Sequence, residues 1–404
     1  TWIMKTFGQQ YFEKTAYVNF DNNARMKQVF EGDLDIERLV LSISAETGVS
    51  IEAENTLIIF DEVQEVPKAL TSLKYFYENA PQYAIVAAGS LLGVALHQGT
   101  SFPVGKVDFL DLYPLNFREF LCAMGEKQFV SMLDSCDTQM VTVFKTKYIE
   151  RLREYYFVGG MPEVVKDFSE KKDYNRVRAI QKNLINYYQQ DFSKHAEIKL
   201  VPRLNLVWNS IPMQLAKENK KYIYGQVREG SRAKDFELAI QWLLDCGLIH
   251  KVQRIQKPDL PLKAYIDFDA FKLFLVDIGL LIAMTDLDAK VIIEGNKIFT
   301  EFKGALTEQY ILQQLISDVG VIPYYYSTQN SKGEIDFLVQ GKTSVIPIEV
   351  KAEENLKAKS LKAFCEKYQP SYAVRTSMSD YREQDWMTNI PLYAIKWIEN
   401  YVNQ

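Results

Sequence analysis

The run Leu57-Ile58-Ile59-Phe60, closed by Asp61-Glu62, constrains the fold more than any other feature of this chain. A short, continuously apolar run is a strand covered on both faces, because a half-exposed strand would alternate. Tyr83-Ala84-Ile85-Val86-Ala87-Ala88 repeats the pattern, and Thr15–Phe20 reads as a third strand. Amphipathic segments at 2–13, 35–46 and 67–79 read as helices. Strands alternating with helices predict a parallel sheet with helices on both faces.

The chain has 404 residues, too many for one core, so several domains are expected. From 116 to 245 the period is helical, interrupted by Gly159-Gly160-Met161-Pro162. A helix at 232–246 precedes strands at Leu248–Arg254 and Leu262–Asp267, joined around Lys257-Pro258-Asp259; helices followed by such a hairpin form a winged-helix pattern. The remainder returns to mixed α/β. It has a helix at 299–317, strands at 323–327, 334–339 and 344–351, a helix at 359–368, and strands near 371–375 and 391–395. The expected division is 1–125, 126–200, 201–290 and 291–404.

Composition narrows the function classes. Lys and Arg number 47 against 52 Asp and Glu, a net charge of −5, so no global basic field advertises nucleic acid. Cys122, Cys136, Cys246 and Cys365 are widely spaced and form no CxxC, which suits a reducing cytoplasm. The most apolar stretch, Phe271–Met284, is too short for a membrane span and is broken by Lys272 and Asp277. The opening Thr1-Trp2-Ile3-Met4-Lys5 carries no signal-peptide pattern.

An apolar strand ending in Asp-Glu has a mechanism in P-loop ATPases. The Asp holds the water shell of Mg²⁺, and the Glu polarises the attacking water. The next apolar strand leads to Ser90, placed to sense the γ-phosphate. A phosphate loop, Gly-x-x-x-x-Gly-Lys-Ser/Thr, occurs nowhere in the sequence. The first helix begins at Thr1, where the helix after such a loop belongs. The expectation is that the given chain starts just past the Gly-Lys, with Thr1 as the terminal Thr of the motif.

Ile58–Gln64, Ala88-Gly89-Ser90-Leu91-Leu92 and Leu112–Phe120 together resemble a group of bacterial and archaeal AAA-type ATPases whose C-terminal half is a domain of unknown function. Gly159–Pro162, Trp242–Ile249 and Lys272–Leu281 extend the resemblance along the whole chain. It implies an α/β multidomain protein: an AAA-type P-loop core, a helical and winged-helix middle, and an α/β C-terminal domain. It also implies ATP and Mg²⁺ as cofactors, with Asp61 and Glu62 in the magnesium and water-activating roles and Ser90 as sensor. One departure is Gly105-Lys106, where the family usually carries an Arg; a Lys lacks the planar fork of an arginine finger.

Gly333-Glu334-Ile335-Asp336-Phe337 is followed by Ile348-Glu349-Val350-Lys351. An Asp, then Glu-x-Lys on the next strand, is the signature of PD-(D/E)xK nucleases. Residues two apart in a strand share a face, so Glu349 and Lys351 project together. Glu308, on the preceding helix, matches the additional acidic position. Glu308, Asp336 and Glu349 are therefore candidate ligands for Mg²⁺ or Mn²⁺, and Lys351 a candidate for orienting water. The alternative is a self-satisfied polar cluster in a domain that only binds.

Arg232, Lys234, Lys251, Arg254, Lys257 and Lys263 suit phosphate contact by the winged helix, although Asp235, Glu237 and Asp245 share its helix. His97, His195 and His250 have no catalytic spacing, and none is assigned chemistry. The leading expectation is a cytoplasmic ATPase, outside the membrane, that couples hydrolysis to DNA binding or cleavage, with self-association as a further partner expectation. The competing one is a nucleotide-controlled regulatory protein with an inert nuclease-like domain. A third is a plain winged-helix DNA-binding protein with a decayed ATPase core.

Overall fold

This computed structural model describes residues 1–89, 93, 105–217, 220–293, 300–328, 333–352 and 358–404. They form two compact units: Thr1–Asp111 with 245–247, and 112–244 with 248–404.

The first unit opens with helix α1 (Trp2–Tyr11), strand β1 (Lys14–Asn19), helices α2 (Ala24–Glu31) and α3 (Ile36–Thr47), and strand β2 (Thr56–Asp61). Helix α4 (Pro67–Asn79) and strand β3 (Ala84–Ala88) follow. The strands are parallel in the order β1-β2-β3, with Asn19 beside Asp61 and Asp61 beside Ala88. β2 is buried along its whole length, as a continuously apolar central strand must be. β3 is only half-buried, because no strand pairs with its outer edge among the described residues; Ile85 and Ala87 pack on the core. That core joins Phe20, Phe30 and Phe60 edge to face, with Leu39 and Ile43 from α3 beneath them. Helix α2 was not expected from the periodicity. Asn23 caps it by accepting from the Met26 amide, and Met26 and Phe30 provide its buried face.

The second unit is mainly helical to residue 244. Its helices include α5 (Phe117–Ala123), α6 (Lys145–Val158), α7 (Tyr174–His195) and α8 (Ala233–Asp245). Strands β4 (Ile249–Ile255) and β5 (Ile266–Leu275) lead to helix α9 (Ile278–Met284) and helix α10 (Thr300–Gln314). Strands β6 (Tyr324–Ser327), β7 (Glu334–Gln340) and β8 (Val345–Val350), helix α11 (Lys359–Tyr368), and strands β9 (Val374–Ser377), β10 (Arg382–Gln384) and β11 (Met387–Pro391) complete it. One eight-stranded sheet runs β10-β11-β9-β8-β7-β6-β4-β5.

Several expected elements shift. The strand placed at Leu262–Asp267 is a single 3₁₀ turn, Leu262–Tyr265, and the strand itself runs Ile266–Leu275. β4 and β5 pair as a hairpin, but β4 also pairs in parallel with β6, Arg254 opposite Tyr325. The hairpin is therefore the margin of the large sheet, which crosses the expected boundary at residue 290. The strand expected at 391–395 lies at Met387–Pro391, and Leu392–Ile398 coils into a 3₁₀ segment. The apolar stretch Phe271–Met284 divides into the end of β5 and helix α9, capped by Asp277, which accepts from the Leu280 amide. Among the described residues no helix is long and apolar enough to cross a membrane.

Asp277 also ties together three of the quoted sequence runs. Its Oδ2 accepts from the Gly160 amide at 2.6 Å and from Gln313 Nε2 at 3.2 Å. The Leu115 amide in turn donates to the Gly160 carbonyl, and Tyr155 Oη donates to the Leu115 carbonyl. Burial raises the Asp277 carboxyl above its ordinary pKa. Gly159 adopts φ +74°, and a Cβ on Gly160 would lie 2.1 Å from the Leu115 oxygen. These runs build a buried junction rather than a reacting site.

Candidate nucleotide site and a buried ion cluster

Parallel strands that end together leave a crevice at their carboxyl ends, where α/β sheets bind ligands. In the first unit that edge carries Asn19, Asp61 and Gly89. Asp61 is buried, and two hydroxyls donate to its Oδ2: Thr1 Oγ1 at 2.5 Å and Tyr17 Oη at 2.7 Å. Thr1 and Asp61, both expected at the nucleotide site, are thus in hydrogen-bond contact although 60 residues apart in the chain. Thr1 sits at the N-cap of α1 but does not cap it with its side chain, which is turned to Asp61 instead. Burial, then the Asp61 carboxylate, raises the pKa of Tyr17, so its phenol stays protonated as a donor. Lys5 Nζ lies 3.4 Å from the centre of the Tyr17 ring.

Glu62 has left-handed backbone angles (φ +52°, ψ 43°), unusual for a residue with a Cβ. The chain turns there from β2 into the 3₁₀ segment Val63–Glu65, and Val63 anchors the turn in the core. Gln64 Nε2 donates to Glu62 Oε2 at 2.6 Å. A Thr hydroxyl, a buried Asp and a held Glu at one sheet edge form a donor set that fits hydrated Mg²⁺ with a phosphate. The expected sensor, Ser90, and His97 lie outside the described residues. Lys106 pairs with Glu78 at 3.4 Å.

In the second unit the four nuclease-like residues divide between two surroundings. Glu308 on α10 meets Lys220 and, at 3.6 Å, Lys272 Nζ. Lys272, wholly buried on β5, also pairs with Glu334 on β7. Asp336 Oδ2 accepts from the Val350 amide at 2.7 Å. Burial, then the Glu308 charge, pushes the Asp336 pKa up to about 8, so it is largely protonated at neutral pH. Burial works against ionised Glu308, but Lys220 and Lys272 outweigh it and hold the carboxyl below its ordinary pKa. Burial likewise opposes the Lys272 ammonium, and the surrounding carboxylates outweigh that to raise its pKa.

Glu349 has other partners. Its Oε2 accepts from the Leu361 amide at 3.1 Å, and its Oε1 pairs with Lys351 at 2.6 Å. The expected shared projection of Glu349 and Lys351 is present. Burial, then Glu349, pushes the nearby Cys365 thiol up to about 11. Among the described residues no group of three or more His, Cys, Asp or Glu is disposed to hold a metal ion. Lys272 and Lys220 are the residues that sequence reasoning did not assign to this cluster. The signal was present: a Lys in an otherwise apolar strand needs a buried partner.

The basic residues of the hairpin are engaged locally. Arg254 pairs with Asp267 and Lys257 with Asp259, while Lys251 lies over the Phe271 ring. His250 is half-buried, and desolvation lowers its pKa to about 4 and keeps it neutral.

Residues 1–121 match the family model described as an AAA domain. Residues 149–291 match a domain of unknown function (DUF8612), and residues 303–395 match a second (DUF4143). No curated protein and no solved structure matches the chain.

Proposed function

We propose that the AAA domain matched at residues 1–121 is a magnesium-dependent ATP-binding and hydrolysing module, and that the second unit is what it controls. The observation that carries this reading is the 2.5 Å hydrogen bond from Thr1 Oγ1 to Asp61 Oδ2, which joins the start of α1 to the end of β2. In this reading Thr1 and Asp61 hold the hydrated Mg²⁺, which when bound supplies positive charge against the transferring phosphoryl group. Asp61 is oriented by donors from two directions. Tyr17 restrains it from β1, and Thr1 from the start of α1, the helix before β1. Glu62 orients a water and accepts its proton.

The nuclease-like residues support the regulatory alternative better than cleavage. Lys272 and Lys220 already neutralise Glu308 and Glu334, and Asp336 is protonated beside them. A divalent ion entering there must displace a buried ammonium and expel a proton, both opposed by the electrostatics. We therefore favour a nucleotide-controlled protein whose C-terminal domain acts by binding. Equilibrium binding of Mg-ATP to the full-length protein tests the first claim. Asp61→Ala is expected to abolish magnesium-dependent binding; magnesium-dependent affinity equal to the parent's would refute the assignment. For the second, nicking of DNA in Mn²⁺ that Asp336→Ala removes would reinstate the nuclease.

A further inference from the structure

We infer that Gln64 is a positioning residue that orients Glu62 and links it to the end of β3; the inference rests on the ATP-hydrolysing reading above. Gln64 Nε2 donates to Glu62 Oε2 at 2.6 Å. A carboxylate only accepts, so the NH₂ end of the Gln64 amide must face Glu62, which fixes the direction of the opposite end. That end, Oε1, is buried and has no hydrogen-bond partner among the described residues. An orphaned buried acceptor is costly, so a side chain kept in this pose serves the contact at its other end.

Gly89 supplies a second, independent observation. A Cβ at position 89 would lie 2.1 Å from Gln64 Oε1 and 3.1 Å from Gln64 Cδ. The amide therefore occupies a slot that a larger residue at the end of β3 would close. A chain of contact runs from Gly89 through the Gln64 amide to the Glu62 carboxylate, within the turn that Val63 anchors. Gln64 sets the rotation of the Glu62 carboxylate, so the water meets it in one orientation. It does not contribute to holding nucleotide.

The consequence is a split between turnover and binding, which a merely structural role would not produce. Gln64→Glu keeps the shape but cannot donate when ionised; Gln64→Ala removes the contact. Both are measured in the full-length protein for Mg-ATP hydrolysis, for binding of a fluorescent ATP analogue, and for melting temperature. The expected result is a kcat lower by about 10- to 100-fold, with KM and analogue affinity within about twofold of the parent. Parent kcat in both variants, or a raised KM with kcat intact, overturns the inference. Should Gln64→Ala fail to fold, the isosteric Gln64→Glu decides. A parent that hydrolyses ATP, stops on Glu62→Gln and is indifferent to Gln64 sinks this inference alone. A parent without turnover sinks the hydrolysing reading and this inference with it.

Discussion

Lys272→Met tests the reading of the buried ion cluster as a permanent structural device. Methionine keeps most of the lysine stem's volume and removes its charge. Lys272 has no exposed surface; it pairs with Glu334, lies 3.6 Å from Glu308 and 4.8 Å from the centre of the Tyr325 ring. Its loss leaves Glu308 with Lys220 alone and Glu334 facing an apolar methyl. Breaking a buried pair by removing one partner costs about 3–5 kcal/mol. At roughly 2–4 °C per kcal/mol for a large domain, that is a fall of about 6–20 °C in melting temperature.

The pH dependence sharpens the test. The Lys272 pKa is raised, so its stabilisation is fully present below the ordinary lysine value and persists throughout the usual assay range. The Glu308 pKa is lowered, so its stabilisation is present above the ordinary glutamate value and fades as pH falls through the folded one. The deficit of Lys272→Met should therefore be largest near pH 8 and shrink towards pH 4–5, where the bereft carboxylates take up protons. Urea unfolding of parent and variant at several pH values, with the two units' transitions resolved separately, measures this. A loss below about 1 kcal/mol at pH 8, or one indifferent to pH, would refute the reasoning.

Two further predictions concern the same unit. The Asp336 pKa is raised to about 8, so the folded state retains a proton that the unfolded chain releases near pH 4, and the parent loses stability as pH rises between these values. Asp336→Asn keeps an acceptor for the Val350 amide and should flatten that decline, becoming more stable than the parent above pH 8; an unchanged slope in urea titrations would count against it. Gly160→Ala places a methyl against the Leu115 oxygen and should destabilise by about 1–3 kcal/mol, whereas Gly225→Ala, with open space around it, should cost far less by the same assay.

The first unit was legible because its signals are local. Continuous burial of Leu57–Phe60 requires a central strand, and the carboxylates at its end fall where parallel strands terminate. Asn23 and the helix it caps were missed because two buried side chains in eight residues make a weak periodic signal. The hairpin of β4 and β5 was readable as a pair, but its parallel partner β6 lies 70 residues away, beyond any local pattern. The Asp336 and Glu-x-Lys spacing was visible, while its electrostatic setting was not. Lys220 and Lys272 arrive from distant segments, and the neutrality of Asp336 depends on them. Tyr17 was an ordinary residue, and Gln64 the last residue of a quoted run with no role assigned, until the fold set them against Asp61 and Glu62.

The most direct measurement of the central claim is steady-state Mg-ATP hydrolysis by the full-length protein beside its Glu62→Gln variant. The account predicts magnesium-dependent turnover that the substitution lowers by at least about 100-fold while ATP remains bound. Turnover equal in the two proteins, or a parent that neither binds nor hydrolyses ATP, would contradict it.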